Sequence, residues 1–307
     1  MRILAVDTST TAATAAIMED GRLTAETILN ISRAHSQRIM GLIDELFKKS
    51  GLTPSDIDVF ACSAGPGSFT GLRIGASVIK GMAQVARKPV VAVPTLDALA
   101  YNLFNCSGFV CPILDAQRGM VYSNIYSWDK GLLIKNSEFG VIHIDELIML
   151  IKEKAIHTTF LGDAVELHKD RLEEGLSYYS IAPSDQLLPR AASCAALAID
   201  LFNKGKFDSY DSLRLTYIRK SQAEVEYDEK HKTEFVEMKK EDLNRVLEIE
   251  RLSFLTPWSR ESFEDELEKN KLAKYVVAKV DGITAGYGGM WIILDEGHIT
   301  NIAVDRK

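Results

Sequence analysis

Ser63-Ala64-Gly65-Pro66-Gly67-Ser68-Phe69-Thr70-Gly71-Leu72-Arg73-Ile74-Gly75 follows an apolar, strand-like segment (Ile57, Val59, Phe60, Ala61) and opens a helical pattern that carries glycines. Gly65 and Gly67 suit a sharp turn with positive φ, and Ser68 or Thr70 suits a helix N-cap. A strand, a glycine turn and a helix N-terminus can cradle phosphate. This run has no Walker lysine, and Arg73 is its nearest basic residue, so it is not a P-loop. Gly71 and Gly75 lie one helical turn apart, and Ala76, Ser77, Gly81 and Ala83 keep the helix thin, although each glycine costs about 1 kcal/mol in a helix. Two readings remain open. The thin helix packs closely against the helix near His35, or it presents a face to another protein.

Working outward, Ile3 to Val6 reads as a buried strand ending in Asp7-Thr8-Ser9-Thr10. Ala12 to Met18 and Leu23 to Asn30 form a hairpin around Glu19-Asp20-Gly21. Ile39, Leu42, Ile43, Leu46 and Phe47 fall at helical spacing, and Gly51 closes that helix. Val90 to Val93 is a strand, and a helix starts at Thr95.

The opening pattern recurs: Val110 to Leu114 ends in Asp115, turns at Gly119 and returns through Val121 to Tyr126. A strand that closes on Asp and feeds a hairpin, met twice, predicts an internally duplicated, two-lobed α/β fold with lobes of about 1–104 and 105–224. The second lobe continues with helices near Asp145 to Lys152 and Arg190 to Asn203 and a strand at Thr159 to Leu161. Residues 225–232 read as a linker. Beyond them come strand Glu234 to Met238, a helix through Leu243, Val246, Leu247, Ile249 and Leu252, and Pro257-Trp258-Ser259 capping a second helix. A hairpin around Asp281-Gly282 and a strand from His298 to Val304 end the pattern.

The 307 residues suffice for two domains, and 46% hydrophobic with 26% charged residues describes an ordinary core-forming protein. A net charge of −7 argues against a large basic surface, so any nucleic-acid grip comes mainly from a partner. Cys62, Cys106, Cys111 and Cys194 contain no CxxC pair and read as reduced thiols. Asp7 interrupts the N-terminus too early for a signal peptide, and no run reaches the roughly 18 apolar residues of a membrane helix. The expected compartment is the cytoplasm.

Asp7, Thr8, Ser9 and Thr10 occupy the place of the first phosphate loop of an actin-like ATPase, where a carboxylate helps hold magnesium. The usual glycine of that loop is missing, and a hydrogen-bonded structural turn is the competing reading. Asp115 has the matching place in the second lobe. Only Gly162-Asp163-Ala164 offers an adenosine-binding glycine. His35, before Ser36-Gln37-Arg38, has no second ligand at metal spacing before Asp44, which favours a capping or interface role. Arg118 reads as a functional contact or a strand-end ion pair. Tyr122 and Tyr126 are placed on one strand face.

Residues 1 to about 224 resemble the TsaB (YeaZ) family of tRNA threonylcarbamoyladenosine biosynthesis subunits. The likeness is carried by Ile3 to Thr10, His35-Ser36-Gln37-Arg38-Ile39, Ser63 to Gly75, Leu114 to Tyr122 and Tyr217-Ile218-Arg219. The resemblance implies an actin-like (ASKHA, RNase H-like) fold without its own catalytic site. It implies pairing with a TsaD-like catalytic subunit, which carries the metal and modifies the adenosine beside the anticodon of tRNAs reading ANN codons. A TsaE-like ATPase joins them, tRNA is met through the complex, and a homodimer is an option in isolation. The implied partner face comprises His35, Arg38, Ile39, Leu42, Gly71, Ile74, Gly75 and Val78. ATP and metal are expected in the partner subunits, and no cofactor in this half.

Residues 233–307 resemble the front of a RimI-like GNAT acetyltransferase through Pro257-Trp258-Ser259, Gly286-Tyr287-Gly288-Gly289 and Ile299 to Val304. Such domains acetylate protein N-termini, typically of a ribosomal protein. The family's glycine-rich acetyl-CoA loop would follow Val304, and the chain stops at Lys307, so this part is expected to be an incomplete α+β domain that binds acetyl-CoA only if completed. A bifunctional fusion is the alternative function, and an actin-like sugar or acyl kinase is a second rival.

Overall fold

The computed structural model describes residues 1–30, 35–218 and 233–305, with residues 35–37 as helix backbone alone. The chain divides into two compact units, Met1–Arg219 and Lys220–Lys307. The expected linker, 225–232, lies outside the described residues.

In the first unit β1 (Arg2–Asp7), β2 (Ala12–Glu19) and β3 (Arg22–Asn30) form an antiparallel meander. Asp20 and Gly21, at φ 48° and 77°, make the two-residue turn whose twist suits a hairpin. After α1 (His35–Ser50), β4 (Val59–Ser63) lies parallel to β1; after α2 (Phe69–Ala86), β5 (Val90–Val93) lies parallel to β4. The sheet order is β3-β2-β1-β4-β5. β1 and β4 are covered on both faces, so they read as continuous apolar runs rather than alternating ones. From α1, Ile39, Leu42, Ile43, Leu46 and Phe47 all enter the core on one side of this sheet, each contributing about 1.5–3 kcal/mol.

The second lobe runs from α3 (Thr95–Tyr101) through β6 (Phe109–Asp115), β7 (Met120–Ser123), β8 (Tyr126–Asp129), β9 (Leu132–Lys135) and β10 (Gly140–His143). It continues with α4 (Ile144–Lys154), β11 (Thr158–Leu161), α5 (Ala164–Leu167), α6 (Lys169–Gly175), β12 (Tyr179–Ile181) and α7 (Ala191–Asn203). Its main path is β10-β7-β6-β11-β12, with two antiparallel pairings followed by two parallel ones. Strand for strand this repeats the first sheet, so the fold is a duplicated, two-lobed, actin-like α/β fold.

Three details differ from the sequence reading. The stretch Val121 to Tyr126 is two strands, and buried Tyr126 donates a 2.6 Å hydrogen bond to Asp97 instead of sharing a strand face with Tyr122. The β8–β9 hairpin, turning at Lys130 and Gly131 (φ 49° and 80°), is an addition to the repeated set. The helix at the end of the second half, α7, packs on the first sheet: Cys194, Ala195 and Ala198 lie against Ile3, Ala5, Val59 and Val91. In return, α3 puts Leu96, Leu99 and Ala100, with Leu103 just after it, among Val110, Leu114 and Leu161 of the second lobe. Each lobe thus holds a helix contributed by the other half of the sequence.

The second unit is an antiparallel sheet, β13 (Thr233–Glu237), β14 (Ala273–Val280), β15 (Ile283–Ile293) and β16 (Glu296–Val304), in that order. On one face lie α8 (Leu243–Ser253) and α9 (Arg260–Glu268), which pack Val246, Ile249 and Phe263 against Tyr275, Val277, Tyr287 and Ala303. Among the described residues no helix is long and apolar enough to cross a membrane. All four cysteines are free, and burial pushes the Cys62 and Cys111 thiols up to about 12.

Candidate functional site

The thin helix opens on Ser68, whose hydroxyl accepts a 3.2 Å hydrogen bond from the Gly71 amide, while the Ser68 amide donates 2.7 Å to the Ser9 carbonyl. Thr8 Oγ1 donates 2.7 Å to the Gly71 carbonyl. A Cβ on Gly71 would stand under 3.0 Å from the Thr8 carbonyl oxygen, and one on Gly75 under 3.0 Å from Thr8 Oγ1. Gly67 meets Ser9 in the same way. The glycines therefore let α2 settle onto the β1–β2 loop of its own chain. The close approach announced by Gly71 and Gly75 is thus to Thr8 of the same chain rather than to α1, and Gly75 is buried there.

Asp7, Thr8, Ser9 and Thr10 are all buried beneath that helix start. The Asp7 carboxyl accepts from the Ser9 amide (2.9 Å), the Ser9 hydroxyl (2.7 Å) and the Ser63 hydroxyl. Burial raises its pKa, and those three hydrogen bonds oppose the rise. Thr10 Oγ1 accepts from the Ala12 amide at 3.2 Å. The Ser9 and Ser68 amides, which a phosphate loop would aim at a ligand, are both spent on partners within the chain. The donor set here suits a structural turn better than a triphosphate with magnesium.

Asp115 is exposed at the end of β6 and accepts 2.7 Å from the Gln117 amide. Its own amide donates 3.1 Å to Asp163, a half-buried carboxylate that the sequence reading quoted only as the neighbour of Gly162. Burial, aided by the charges of Asp115 and Asp7, raises Asp163 to about 6. Gly162 beside it has φ 116°, and a Cβ there would lie under 3.0 Å from the Ile113 carbonyl, so its glycine serves the turn after β11. Among the described residues no three His, Cys, Asp or Glu side chains converge as a metal site.

The outer face of α1 and α2 differs in detail from the expected set. Ile39 and Leu42 are core residues, Ile74 and Val78 are half-buried against that core, and Arg38 is exposed. The His35 side chain lies outside the described residues. Exposed instead are Met40 of α1 at 53% and, on α2, Ser77, Gly81 and Val85, the last at 88%, with open space over Gly81. At the start of α2 the Arg73 guanidinium lies 3.9 Å from the Phe69 ring centroid. Its Nε donates 3.0 Å to the Tyr217 hydroxyl, and the two rings are 4.9 Å apart. The chain reaches that position because the Thr216 amide donates 2.7 Å to the Ala64 carbonyl.

In the second unit, buried Glu250 accepts 3.0 Å from the Trp258 amide and also accepts from the Tyr287 hydroxyl, so it fixes the Pro257-Trp258-Ser259 corner. Ser259 then caps α9 by accepting 3.1 Å from the Ser262 amide. Gly289 leaves room for the Tyr275 ring.

Two facing copies of one strand order, with carboxylates at the strand ends, place the first unit in the class of actin-like two-lobed proteins. Residues 24–182 match the family model described as TsaD, tRNA N6-adenosine threonylcarbamoyltransferase. The Bacillus subtilis tRNA threonylcarbamoyladenosine biosynthesis protein TsaB is 32% identical over 233 residues, 76% of this chain and 100% of that protein. A solved structure of YeaZ from Pseudomonas aeruginosa, 26% identical, covers 71% of this chain and 99% of its own, with a TM-score of 0.60. The chain belongs to the TsaB family. Its C-terminal part is similar to a Bacillus subtilis protein described as a putative ribosomal protein bS18-alanine N-acetyltransferase, 49% identical over 67 residues, 22% of this chain. That match spans 44% of the relative's length.

Proposed function

We propose that the first unit is a non-catalytic scaffold in the synthesis of N6-threonylcarbamoyladenosine on tRNAs reading ANN codons. It binds and activates a TsaD-like catalytic subunit through the outer face of α1 and α2. The observation that carries this reading is the exposed run Ser77, Gly81, Val85 on α2, thin and open over Gly81, together with exposed Met40 on α1. Exposed apolar patches mark protein contacts, and small residues let a second helix come close. The Asp7 loop, with its amides used inside the chain, supports a role outside phosphate chemistry. A TsaE-like ATPase and tRNA join through the catalytic subunit, and the same face supports a homodimer when that subunit is absent. Mixing the full chain with the TsaD protein of the same organism and measuring mass in solution tests the reading. A complex that Ser77→Arg abolishes supports it; no complex, or one indifferent to Ser77→Arg, overturns it.

The 49% identity to an acetyltransferase favours a second reading, a bifunctional fusion whose complete form acetylates a ribosomal-protein N-terminal alanine with acetyl-CoA. Binding of acetyl-CoA to the full chain tests it, and no binding refutes it for this chain.

A further inference from the structure

The two lobes of the first unit are joined by two crossovers, and each passes through a proline. The first leaves β5 through Pro94 into α3, and the second runs on from β12 through Pro189 into α7. A hinge motion needs a few residues whose φ and ψ can swing. The first crossover denies it. The Val93 carbonyl accepts 2.8 Å from the Ala64 amide, and the Thr95 amide donates 2.9 Å to the Gly65 carbonyl. Thr95 is fully buried, and its Oγ1 accepts 3.2 Å from the Gly65 amide. Between these held neighbours stands Pro94, whose ring keeps φ at −60°.

At the second crossover side chains do the holding. Asn102, just after α3, donates through Nδ2 to the carbonyls of Gln186 (2.9 Å) and Leu188 (2.8 Å). Its Oδ1 accepts 2.7 Å from the Ser193 hydroxyl of α7. Two facing carbonyls admit only this orientation of the amide. The Leu187 carbonyl accepts 2.7 Å from the Gly162 amide, at the turn after β11. Beyond Pro189, Arg190 pairs with Glu26 of β3, whose other carboxylate oxygen accepts 3.0 Å from the Ala192 amide at the start of α7. The Glu26 side chain is only 8% exposed, which shields the pair from salt. Buried Pro189 thus also lies between held neighbours.

We infer that the two crossovers form a locked joint with Asn102 and Glu26 as its latches, so that the first unit keeps one angle between its lobes instead of closing around a ligand. Asn102 is the principal latch, because its three hydrogen bonds gather the end of α3, the second crossover and α7 at one point. A ligand shifts shape only by binding two states unequally, and a joint with one state gives a nucleotide in the cleft nothing to shift. This goes beyond the scaffold reading and does not depend on which face a partner uses.

The test is the distance between spin labels on Lys49→Cys of α1 and Met149→Cys of α4, both exposed, in the full chain carrying Cys106→Ser; the other three cysteines are buried. One narrow distance is expected, unchanged by magnesium-ATP. Asn102→Ala is expected to broaden the distribution to about twice its width or more. Ser193→Ala, which removes a single bond across the joint, is expected to broaden it less, and this readout remains if Asn102→Ala folds poorly. Two distances in the parent chain, or a shift on adding magnesium-ATP, overturn the inference. A distribution that neither variant changes overturns it as well.

Discussion

Thr8 and Gly71 are joined by a hydrogen bond from the threonine Oγ1 to the glycine carbonyl, 2.7 Å long, across 63 positions of sequence. That bond ties the first strand–turn of the protein to the first turn of its thin helix. Gly75, one turn further on, has no room for a side chain above Thr8, whereas Gly81 faces open space. Gly75→Leu is therefore expected to destabilise the first unit by about 3 kcal/mol or more through overpacking, seen as a lower thermal midpoint. Gly81→Leu is expected to hold or raise the midpoint, since it relieves about 1 kcal/mol of helix cost, while impairing pairing with the TsaD protein. Equal midpoints for the two variants would contradict the assignment of their faces.

Asp7→Ala leaves the Ser9 amide and the Ser63 hydroxyl buried without their acceptor. The expected cost is about 1–3 kcal/mol in denaturant unfolding. If the residue held a phosphate-bound cation instead, the variant would keep its stability and lose nucleotide binding.

Asp163 carries a pH dependence with a definite sign. Its carboxyl is raised from an ordinary 3.8 to about 6 by burial and by the neighbouring charges, so the folded state holds the proton more tightly than the unfolded one. The stability it contributes is fully present below about 4 and is lost as pH rises through about 6. Between pH 4.5 and 7.5 the wild type should therefore lose more stability than Asp163→Asn. Parallel pH profiles in urea unfolding would refute this.

In the second unit a Cβ on Gly289 would stand under 3.0 Å from the Tyr275 ring, and Tyr275 is only 3% exposed. Gly289→Ala is expected to destabilise this unit by about 1–3 kcal/mol and to leave TsaD pairing by the first unit unaltered. Hydrogen exchange resolved by unit would report both effects.

The duplication was legible because it is written locally: a strand closing on Asp7 or Asp115, then a turn and a return strand. The Asp281-Gly282 hairpin was legible for the same reason, its turn residues demanding positive φ. The β8–β9 hairpin escaped because Lys130-Gly131 is a weaker turn signal than Asn-Gly or Asp-Gly. The exchange of α3 and α7 escaped for another reason. Periodicity identifies a helix and its apolar face but not the sheet that face will meet, and the alanines of α7 fit either one. The candidate site shows the same limit. Gly71 and Gly75 did announce a close backbone approach, but spacing could not name Thr8 as the neighbour. Arg73 was quoted only as a missing Walker lysine, since its stacking depends on Tyr217, far along the chain.

The placement of α7 has a consequence for how the chain comes off the ribosome. Until Ala191 to Ala198 have emerged, one face of the first sheet, including Ile3, Ala5 and Val91, lacks Cys194, Ala195 and Ala198 and has Ala98 of α3 as its helical cover, and the other face still lacks Leu213. The second lobe's own sheet is complete by Ile181. During synthesis the lobe that starts first is thus the last to close, and a growing chain halted between residues 110 and 190 presents that part-covered sheet to chaperones.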